Sequence, residues 1–313
     1  MGLALLSPAS SARGQVSPAR PVRFVIPYAP GGPTDGALRA ISDRLSAVLG
    51  QPIVVENRSG GLGTIGAGLV AQSAPDGHTV LADASPNAVN PSVLRDIPFD
   101  YRTAFVPVTQ LARVPIVLVA KTTLPAAGIA EFLELARRRP DPLPCGNAGN
   151  ATASHLAAAL LQRRAGLALT HVPYRGGAEA GRDLAAGSLD CAMLSMSTAA
   201  PLAQAGRAKP LAVTGARRSA LMPDLPTLEE SGVAGAAWEE WSGLFLPAGA
   251  SAAAVDRLAA AAAGVLREPE VRQRYALLGA EPVGSTPGEF ADFLAQARIE
   301  AGRLVREAGI EVN

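Results

Sequence analysis

Hydrophobic and polar positions alternate with two different periods along the chain. Short apolar runs such as VRFVIPY (22–28) and PIVVE (52–56) are typical of buried strands. The segment 35–50 instead repeats its apolar residues at helical spacing and ends on Gly50, a common helix stop. The same alternation continues through the second half of the chain, up to LDCAML (189–194). Alternating strands and helices predict an α/β fold with parallel sheets covered by helices, in two units.

Between these two halves lie two further apolar runs, AFVPVTQLA (104–112) and VPIVLVA (114–120). Each has the length and composition of a strand, and a charged residue, Arg113, separates them. We therefore expect two strands here.

Composition narrows the class of protein. A length of 313 residues with 48% hydrophobic side chains is enough for about two domains with substantial cores. The net charge is +1, from 28 basic and 27 acidic residues, so no basic patch for nucleic acid is evident. No apolar run reaches the roughly 18 residues that a membrane-spanning helix needs.

The N-terminal segment, residues 1–20, has a composition of its own. A short apolar run is followed by small residues and a spacer rich in Ser, Pro and Arg. This order predicts the end of a secretory signal peptide, cleaved near SPASSA and lacking the usual positive start, so the signal is truncated. A flexible tail is the alternative interpretation.

Cys145 and Cys191 belong to no CxxC pair, so the sequence predicts neither a zinc site nor thioredoxin-type chemistry. Both cysteines follow the pattern of buried strand residues. They could pair in an oxidising compartment or stay as two buried thiols.

Other residue types that carry chemistry are sparse. Lys121 and Lys209 are the only lysines, and neither follows a glycine-rich loop, which excludes a phosphate-binding loop of the GK[ST] form. His78, His155 and His171 have no partner at ligand or triad spacing, so we expect structural or surface roles for them. GxSxG and HExxH motifs are absent. The expectation is a protein without metal, cofactor or catalytic machinery.

The stretch GGLGTIG (60–66) needs separate consideration. Gly61, Gly63 and Gly66 have the spacing of a dinucleotide-binding turn, and Asp83 follows at the end of a later strand. However, NRSG separates this turn from the preceding strand, which is the second strand of its unit. The competing interpretation is a turn that needs positive φ angles and close helix packing.

Two other turns join a strand to a helix through glycines. They are PYAPGGPTDG (27–36) in the first half and CGNAGNATASH (145–155) in the second. Free main-chain N–H groups and the helix dipole make such a turn an anion site. With one turn in each half, an anion could be held between the two units.

Several long motifs, in a fixed order, resemble a known family. They include RFVIPYAPGGPTDGALRAISDRLSAVLG, CGNAGNATASHLAAALL, THVPYRGGAEAGRDLAAGSLD and LAVTGARRSALMPDLPTLEESG. The chain is similar, over about residues 20–310, to the extracytoplasmic solute receptors of tripartite tricarboxylate transporters, the Bug family. The resemblance implies a periplasmic binding protein fold of type II, with two α/β lobes around a ligand cleft. Lobe 1 would comprise residues 22–121 and 248–313, and lobe 2 residues 122–247, with hinges in 117–123 and 243–249.

The same resemblance implies a function. Members of this family bind small carboxylated molecules and deliver them to membrane permease subunits, so we expect a periplasmic, monomeric, non-catalytic receptor. A ligand sensor that feeds a signalling partner is one alternative. A nucleotide-dependent α/β enzyme is another, and it would use the GGLGTIG turn.

The family holds its carboxylate through main-chain amides of the two glycine-rich turns together with hydroxyl and amide side chains. On this chain the corresponding candidates are Tyr28, Ala29, Gly31, Gly32, Thr34, Asp35, Ser85, Asn147, Ala148, Asn150, Thr152, Ser154 and Ser195. Asn147 stands at a strand end and is the strongest polar candidate. Asp35 has two interpretations, a helix cap or a contact to a ligand amine or hydroxyl.

Three further positions remain open. Many family members carry an acid or amide after the strand LDCAML, where this chain has Ser195, which weakens any transfer of a specific ligand. Trp238 and Trp241 fit core or hinge packing, but either could line the cleft and stack on an aromatic acid.

Overall fold

The computed structural model describes residues 20–310. The predicted signal peptide, apart from Arg20, lies outside the described residues. The strands are β1 Val22–Ile26, β2 Ile53–Asn57, β3 Thr79–Ala84, β4 Phe105–Ala120, β5 Leu143–Asn147, β6 Leu169–Pro173, β7 Cys191–Ser195, β8 Lys209–Val213, β9 Glu239–Pro247 and β10 Glu281–Pro282. The helices are α1 Pro33–Leu49, α2 Thr64–Ala71, α3 Pro86–Val93, α4 Ile129–Arg138, α5 Ala153–Ala165, α6 Gly177–Ala186, α7 Met196–Gln204, α8 Ala252–Leu266, α9 Pro269–Leu277 and α10 Pro287–Ala308.

The strands form two lobes that each contain parallel strands. In the first lobe β1 pairs in parallel with β2 and β3, and in the second β5 pairs in parallel with β6 and β7. The predicted parallel strands are therefore present in each lobe, at the two outer ends of the strand order β2-β1-β3-β9-β4-β7-β5-β6. Antiparallel strands extend both sheets, because β9 pairs with β3 while β4 pairs with β7 and β8.

Strand β4 connects the lobes. Its residues Phe105–Pro115 pair with β9, and its residues Ile116–Ala120 pair with β7 and β8. The two apolar runs expected as separate strands thus form one strand of 16 residues. The chain returns to the first lobe through β9, so two neighbouring strands cross between the lobes. A pair of crossing strands is a structure on which the lobes can rotate.

The helices cover the sheets through the apolar faces that their spacing predicts. In α1, Leu38, Ile41 and Leu45 recur at helical spacing and are completely buried against the first sheet. Burial of one such leucine contributes about 1.5–3 kcal/mol relative to leaving it in water. Helix α1 is thereby fixed at the end of β1, where the first glycine-rich turn lies.

The GGLGTIG turn is shaped by packing. Gly60, Gly61 and Gly63 have positive φ angles, which glycine adopts without strain. A Cβ atom on Gly66 would lie 2.8 Å from the carbonyl oxygen of Arg58 and 2.9 Å from Cα of Pro27, so only glycine fits without a shift. These glycines serve the close packing of α2 on the turn that follows β1, as the competing interpretation of this motif expects.

The two cysteines are neighbours in the second sheet. Cys145 on β5 lies beside Cys191 on β7 in the parallel register, and both are buried free thiols. Of the two alternatives, the structure has the unpaired thiols.

Candidate ligand-binding site

A cavity of about 380 Å³ opens between the two lobes at the carboxyl ends of their parallel strands. It is lined by Tyr28, Ala29, Pro30, Gly31, Gly32, Pro33, Thr34, Asp35, Ala84, Pro86, Ile116, Ala148, Thr152, Ala153, Ser154, Arg175, Gly176, Gly177, Ala178, Ser195, Ser197, Thr198 and Glu240. We call this space the interlobe cavity. Ligands of open α/β folds bind at this edge of the sheet.

Five helices begin at the interlobe cavity. Their N-terminal residues line it: those of α1 and α3 from the first lobe, and those of α5, α6 and α7 from the second. The first N–H groups of a helix lack partners within the helix, and the helix dipole places partial positive charge there. The main-chain N–H groups of Gly32, Thr34, Ser154 and Gly177 have no acceptor among residues 20–310. The cavity therefore offers donors to an anion from both lobes.

Cationic side chains contribute little to this environment. Among the described residues that line the interlobe cavity, Arg175 is the only Lys or Arg, and it is exposed. The attraction for an anion must come from main-chain dipoles and hydroxyl groups.

In the first turn, both carboxylate oxygens of Asp35 already accept hydrogen bonds from other groups of the protein. Its carboxylate accepts hydrogen bonds from the main-chain N–H of Gly31 (3.0 Å), from Nε of Arg39 (2.9 Å) and from Nδ2 of Asn57 (3.0 Å). Burial acts to raise the pKa of Asp35, but these hydrogen bonds outweigh it and hold the pKa below its ordinary value. Asp35 touches the cavity, but it is the third residue of α1 and does not cap the helix, because Gly32 occupies the N-cap position without a side-chain cap. Its carboxylate instead ties the glycine-rich turn to the first turn of α1.

Tyr28 stands at the wall of the same turn. Its hydroxyl donates to Oδ1 of Asp83 (2.6 Å), and Asp83 also accepts from Nδ2 of Asn87 and from the N–H of Ala84. Burial and then Asp83 raise the pKa of Tyr28, so the phenol stays protonated as the donor. Asp83, the acid of the dinucleotide interpretation, thus fixes the hydroxyl of Tyr28 by a hydrogen bond and does not itself line the cavity.

The second turn is held by two stacked histidines. The rings of His155 and His171 lie 3.5 Å apart between centroids and 11° from parallel. Nδ1 of His155 accepts a hydrogen bond from the N–H of Ala151 (3.2 Å), which has a positive φ angle. Burial and the neighbouring His171 lower the pKa of His155 to about 4, so the pair is neutral near pH 7. The structural role expected for these histidines is the one they have here.

Asn147 and Asn150, both predicted ligand contacts, do not line the interlobe cavity. Asn147 is completely buried, and its Nδ2 lies 2.5 Å from Nδ1 of His171 while its Oδ1 accepts from the N–H of Gly149. Oδ1 of Asn150 lies 2.8 Å from Nε2 of His171. Polar groups that are withdrawn from water need partners, and the histidine on β6 provides them for both amides. Asn147, expected as the strongest polar contact, is therefore engaged away from the cavity lining.

Ser85 also lies elsewhere. Its hydroxyl accepts from the N–H of Trp241 (3.2 Å), and it lines a separate cavity of about 250 Å³ behind the crossing strands. Trp238 and Trp241 line this rear cavity too, together with Arg113 and Phe293. Neither tryptophan lines the interlobe cavity. Both pack near the crossing strands instead.

The structure brings the other predicted residues together at the interlobe cavity. They are Tyr28, Ala29, Gly31, Gly32, Thr34, Asp35, Ala148, Thr152, Ser154 and Ser195. Their hydroxyl groups are ordered by the turns: Oγ of Ser154 accepts from the N–H of Ala148 (3.0 Å), and Oγ1 of Thr152 donates to the carbonyl of Gly149 (2.7 Å). Oγ of Ser195 lies 3.1 Å from the hydroxyl of Thr198.

Two features of the cavity were missed by the sequence prediction. The N-terminus of α6, at Gly176 and Gly177, adds main-chain donors, and the turn YRGG was the available signal. Glu240, near the start of β9, places a carboxyl group at the cavity. Because no charged partner lies at helical or turn spacing, nothing in the sequence separates Glu240 from its neighbour Glu239.

Two kinds of site are not found among residues 20–310. No group of three or more His, Cys, Asp or Glu side chains is placed to hold a metal ion. No helix within this range has the length and apolarity to cross a membrane.

Comparison with known proteins identifies the family. Residues 37–310 match the tripartite tricarboxylate transporter family receptor, TctC. Protein BugT of Bordetella pertussis is 31% identical over 298 residues, which cover 95% of this chain and 91% of BugT. Since the match to the family extends over most of the chain, the chain belongs to this receptor family.

Two solved structures resemble the whole molecule. R. palustris Rpa4515 with adipate has a TM-score of 0.86 and 34% identity, covering 94% of this chain and 99% of that one. MatC from Rhodopseudomonas palustris with bound malate has a TM-score of 0.80 and 31% identity, covering 92% of this chain and 100% of that one. The fold is that of a periplasmic binding protein with two α/β lobes and a cleft between them.

Proposed function

We propose that this member of the tripartite tricarboxylate transporter receptor family captures a small organic carboxylate in the interlobe cavity and delivers it to a tripartite-type membrane transporter. The observation that carries the proposal is the convergence, within residues 20–310, of five helix N-termini from both lobes on a cavity whose described lining includes one exposed arginine, Arg175. Such an arrangement stabilises an anion without a buried cation.

Binding would use donors from both lobes at once. Gly32 and Thr34 belong to the first lobe, and Ser154 and Gly177 to the second. A hydrogen bond from such a donor to a charged acceptor contributes about 1.5–3 kcal/mol. A carboxylate that accepts hydrogen bonds from both sides therefore favours a closed arrangement of the lobes, and the crossing strands β4 and β9 are the proposed hinge.

The size of the cavity suits a small ligand. Its volume of about 380 Å³ lies at the lower end of the range for small-molecule pockets. The carboxylates bound by the two structural relatives, adipate and malate, are of this size class. We take a dicarboxylate or related acid of four to six carbons as the ligand class, with roughly that size set by the pocket.

The remaining assignments belong to the same proposal. The ten lining residues predicted from the sequence are the proposed ligand contacts. The proposed lobes are 22–121 plus 248–313 and 122–247, and the proposed location is the periplasm, after removal of residues 1–20. No catalytic step is proposed, because the role consists of binding and release.

A thermal-shift screen of residues 21–313 tests the proposal. The panel contains succinate, glutarate, adipate, malate, aspartate and citrate, each with its carboxamide analogue where one exists, and NAD and ATP. A ligand that binds only the folded state raises its melting temperature. We expect a shift with at least one carboxylate and none with its amide. A shift with NAD alone would overturn the proposal in favour of the dinucleotide interpretation of GGLGTIG.

A further inference from the structure

Glu240 places a carboxyl group on the hinge side of the interlobe cavity. It lies on β9 directly opposite Val114 of β4, where the two strands cross between the lobes. Successive residues of a strand point to opposite faces, and the two neighbouring glutamates follow this rule. Glu240 lines the interlobe cavity, whereas Glu239 lines the rear cavity.

The carboxyl group of Glu240 is unpaired within the described part of the chain. Among residues 20–310, no side chain or main-chain group lies within hydrogen-bond or ion-pair distance of it. The other acids near the cavity are satisfied: Asp35 by Arg39 and two N–H donors, and Asp83 by Tyr28, Asn87 and the N–H of Ala84. An unpaired acid at the inner side of a binding cavity is costly for folding.

The surroundings of Glu240 are those of a desolvated acid. Its side chain is partly buried where it lines the interlobe cavity, and this burial raises the pKa of Glu240 to about 7. Arg175 is the only Lys or Arg among the described residues that line the cavity, and no ion pair joins it to Glu240 within residues 20–310. A ligand bound in the interlobe cavity would meet this carboxyl group directly.

The interlobe cavity thus has two chemically different regions. The helix N-termini, with Thr34, Ser154 and Gly177, supply hydrogen-bond donors and attract negative charge. Glu240 supplies an acceptor and attracts positive charge. A dicarboxylate would bring a second negative charge towards Glu240, whereas a ligand with a carboxylate and an ammonium group would complement both regions.

We propose that Glu240 is a specificity-determining residue, which pairs with a cationic amino group of a carboxylate ligand, so that amino carboxylates bind more tightly than dicarboxylates of the same skeleton. The inference rests on the proposed function and narrows its ligand class. The inference concerns only the group at the far end of the ligand, which would lie near Glu240. The carboxylate at the other end stays bound at the helix N-termini, as in the proposed function.

The test is isothermal titration calorimetry with two sets of matched probes. Aspartate, malate and succinate differ at one carbon, which carries an ammonium, a hydroxyl or hydrogen. The pairs 4-aminobutyrate and succinate, 5-aminopentanoate and glutarate, and 6-aminohexanoate and adipate exchange one terminal group. We expect the amino member of at least one set to bind wild-type protein at least tenfold more tightly than its dicarboxylate.

Two isosteric variants complete the test. E240Q should lose at least tenfold in affinity for the amino carboxylate and should bind the matched dicarboxylate as well as or better than wild type. E239Q, one residue away and facing the rear cavity, should keep both affinities within twofold. The melting temperature of unliganded E240Q should equal or exceed that of wild type, because the variant removes an unpaired acid from a partly buried position.

The outcomes separate this inference from the proposed function. A dicarboxylate that binds most tightly, with the same preference in E240Q, would overturn the role of Glu240 and leave the receptor function standing. Equal losses in E240Q and E239Q would overturn it too. If no carboxylate binds wild-type protein, the proposed function fails and the inference fails with it.

Discussion

The two glycine-rich turns of the interlobe cavity, 27–36 and 145–155, perform the same geometric task with different chemistry. Each leads from the end of a parallel strand into a helix and exposes N–H donors to the cavity. The first is held by an ionised acid, Asp35, paired with Arg39. The second is held by two neutral stacked histidines, His155 and His171, and the buried amide of Asn147. An anion site can therefore rest on charged or on neutral supports, and the two supports differ in what disrupts them.

The largest expected effect comes from removing the charged support. Asp35→Ala leaves the N–H of Gly31 without its acceptor and Arg39 without its ion-pair partner, and it removes one of the two acceptors of the Asn57 amide. We expect a loss of about 2–4 kcal/mol in the free energy of unfolding, as for other networks in which one buried partner is removed, and at least tenfold weaker carboxylate binding. Urea unfolding and calorimetry measure both.

The matched control is Asp43→Ala, on the exposed face of the same helix. It should change stability by no more than about 0.5 kcal/mol, as surface substitutions do. If Asp35→Ala behaves like Asp43→Ala, then Asp35 does not hold the first turn.

Removing the neutral support should cost less. His171→Phe keeps an aromatic ring beside His155 but removes the acceptor for the amide of Asn147, which is completely buried. An unsatisfied buried donor costs about 1–3 kcal/mol. We expect that loss in urea unfolding, with a several-fold loss of affinity. His78→Phe, in the first lobe, is the control, and equal losses in both variants would contradict the account.

Acidification should distinguish the turns without mutation. The folded-state pKa of His155 is about 4, below the ordinary value of 6.5. Between these values the unfolded chain binds a proton that the folded protein excludes, so stability falls as pH decreases from about 6.5 to 4. Asp35, with a pKa below its ordinary value, stays ionised throughout this window. Acidification should therefore weaken the support of the second turn, residues 145–155, and leave that of the first turn, residues 27–36, unchanged.

Melting temperatures between pH 7.5 and 4 provide the measurement. The wild-type protein should lose stability on acidification more steeply than a double variant with phenylalanine at positions 155 and 171. Parallel curves for the two proteins would show that the histidine pair does not titrate in this window.

The smallest effect is expected at Ser85. Its hydroxyl faces the main chain of Trp241 and the rear cavity, so Ser85→Ala should leave carboxylate affinity within twofold. Ser154→Ala, at the second turn, removes a hydroxyl that lines the interlobe cavity and should weaken binding several-fold. Calorimetry with the same ligand compares the two variants, and a larger loss for Ser85→Ala would contradict the positions assigned to both serines.

Local pattern predicted the fold well because each lobe is built from short buried strands and amphipathic helices that follow one another in sequence. It failed at β4, because Arg113 between the two apolar runs was taken as the boundary of two strands. In the structure the strand continues past Arg113, with shifts of register after Pro107 and Gln110, as it passes from one sheet to the other. Whether one strand continues from one sheet into the next depends on tertiary structure, and hydrophobic periodicity along the sequence does not predict it.

The candidate site shows the same limit at the level of side chains. Residues of the turns, such as Gly32 and Ser154, line the cavity because a turn after a parallel strand reaches the same edge of the sheet. Asn147 does not line it, because the partner of its amide, His171, lies on a different strand. Glu240 was missed because only the pairing of β9 with β4 decides which of two adjacent glutamates faces the cavity.

The most direct measurement is a crystal structure with the carboxylate that gives the largest thermal shift. The account predicts carboxylate oxygens within about 2.7–3.2 Å of main-chain N–H groups at Thr34 in the first lobe and at Ser154 or Gly177 in the second. A carboxylate bound by Arg175 alone, or seated in the rear cavity beside Arg113, would contradict the claim that helix N-termini hold the ligand.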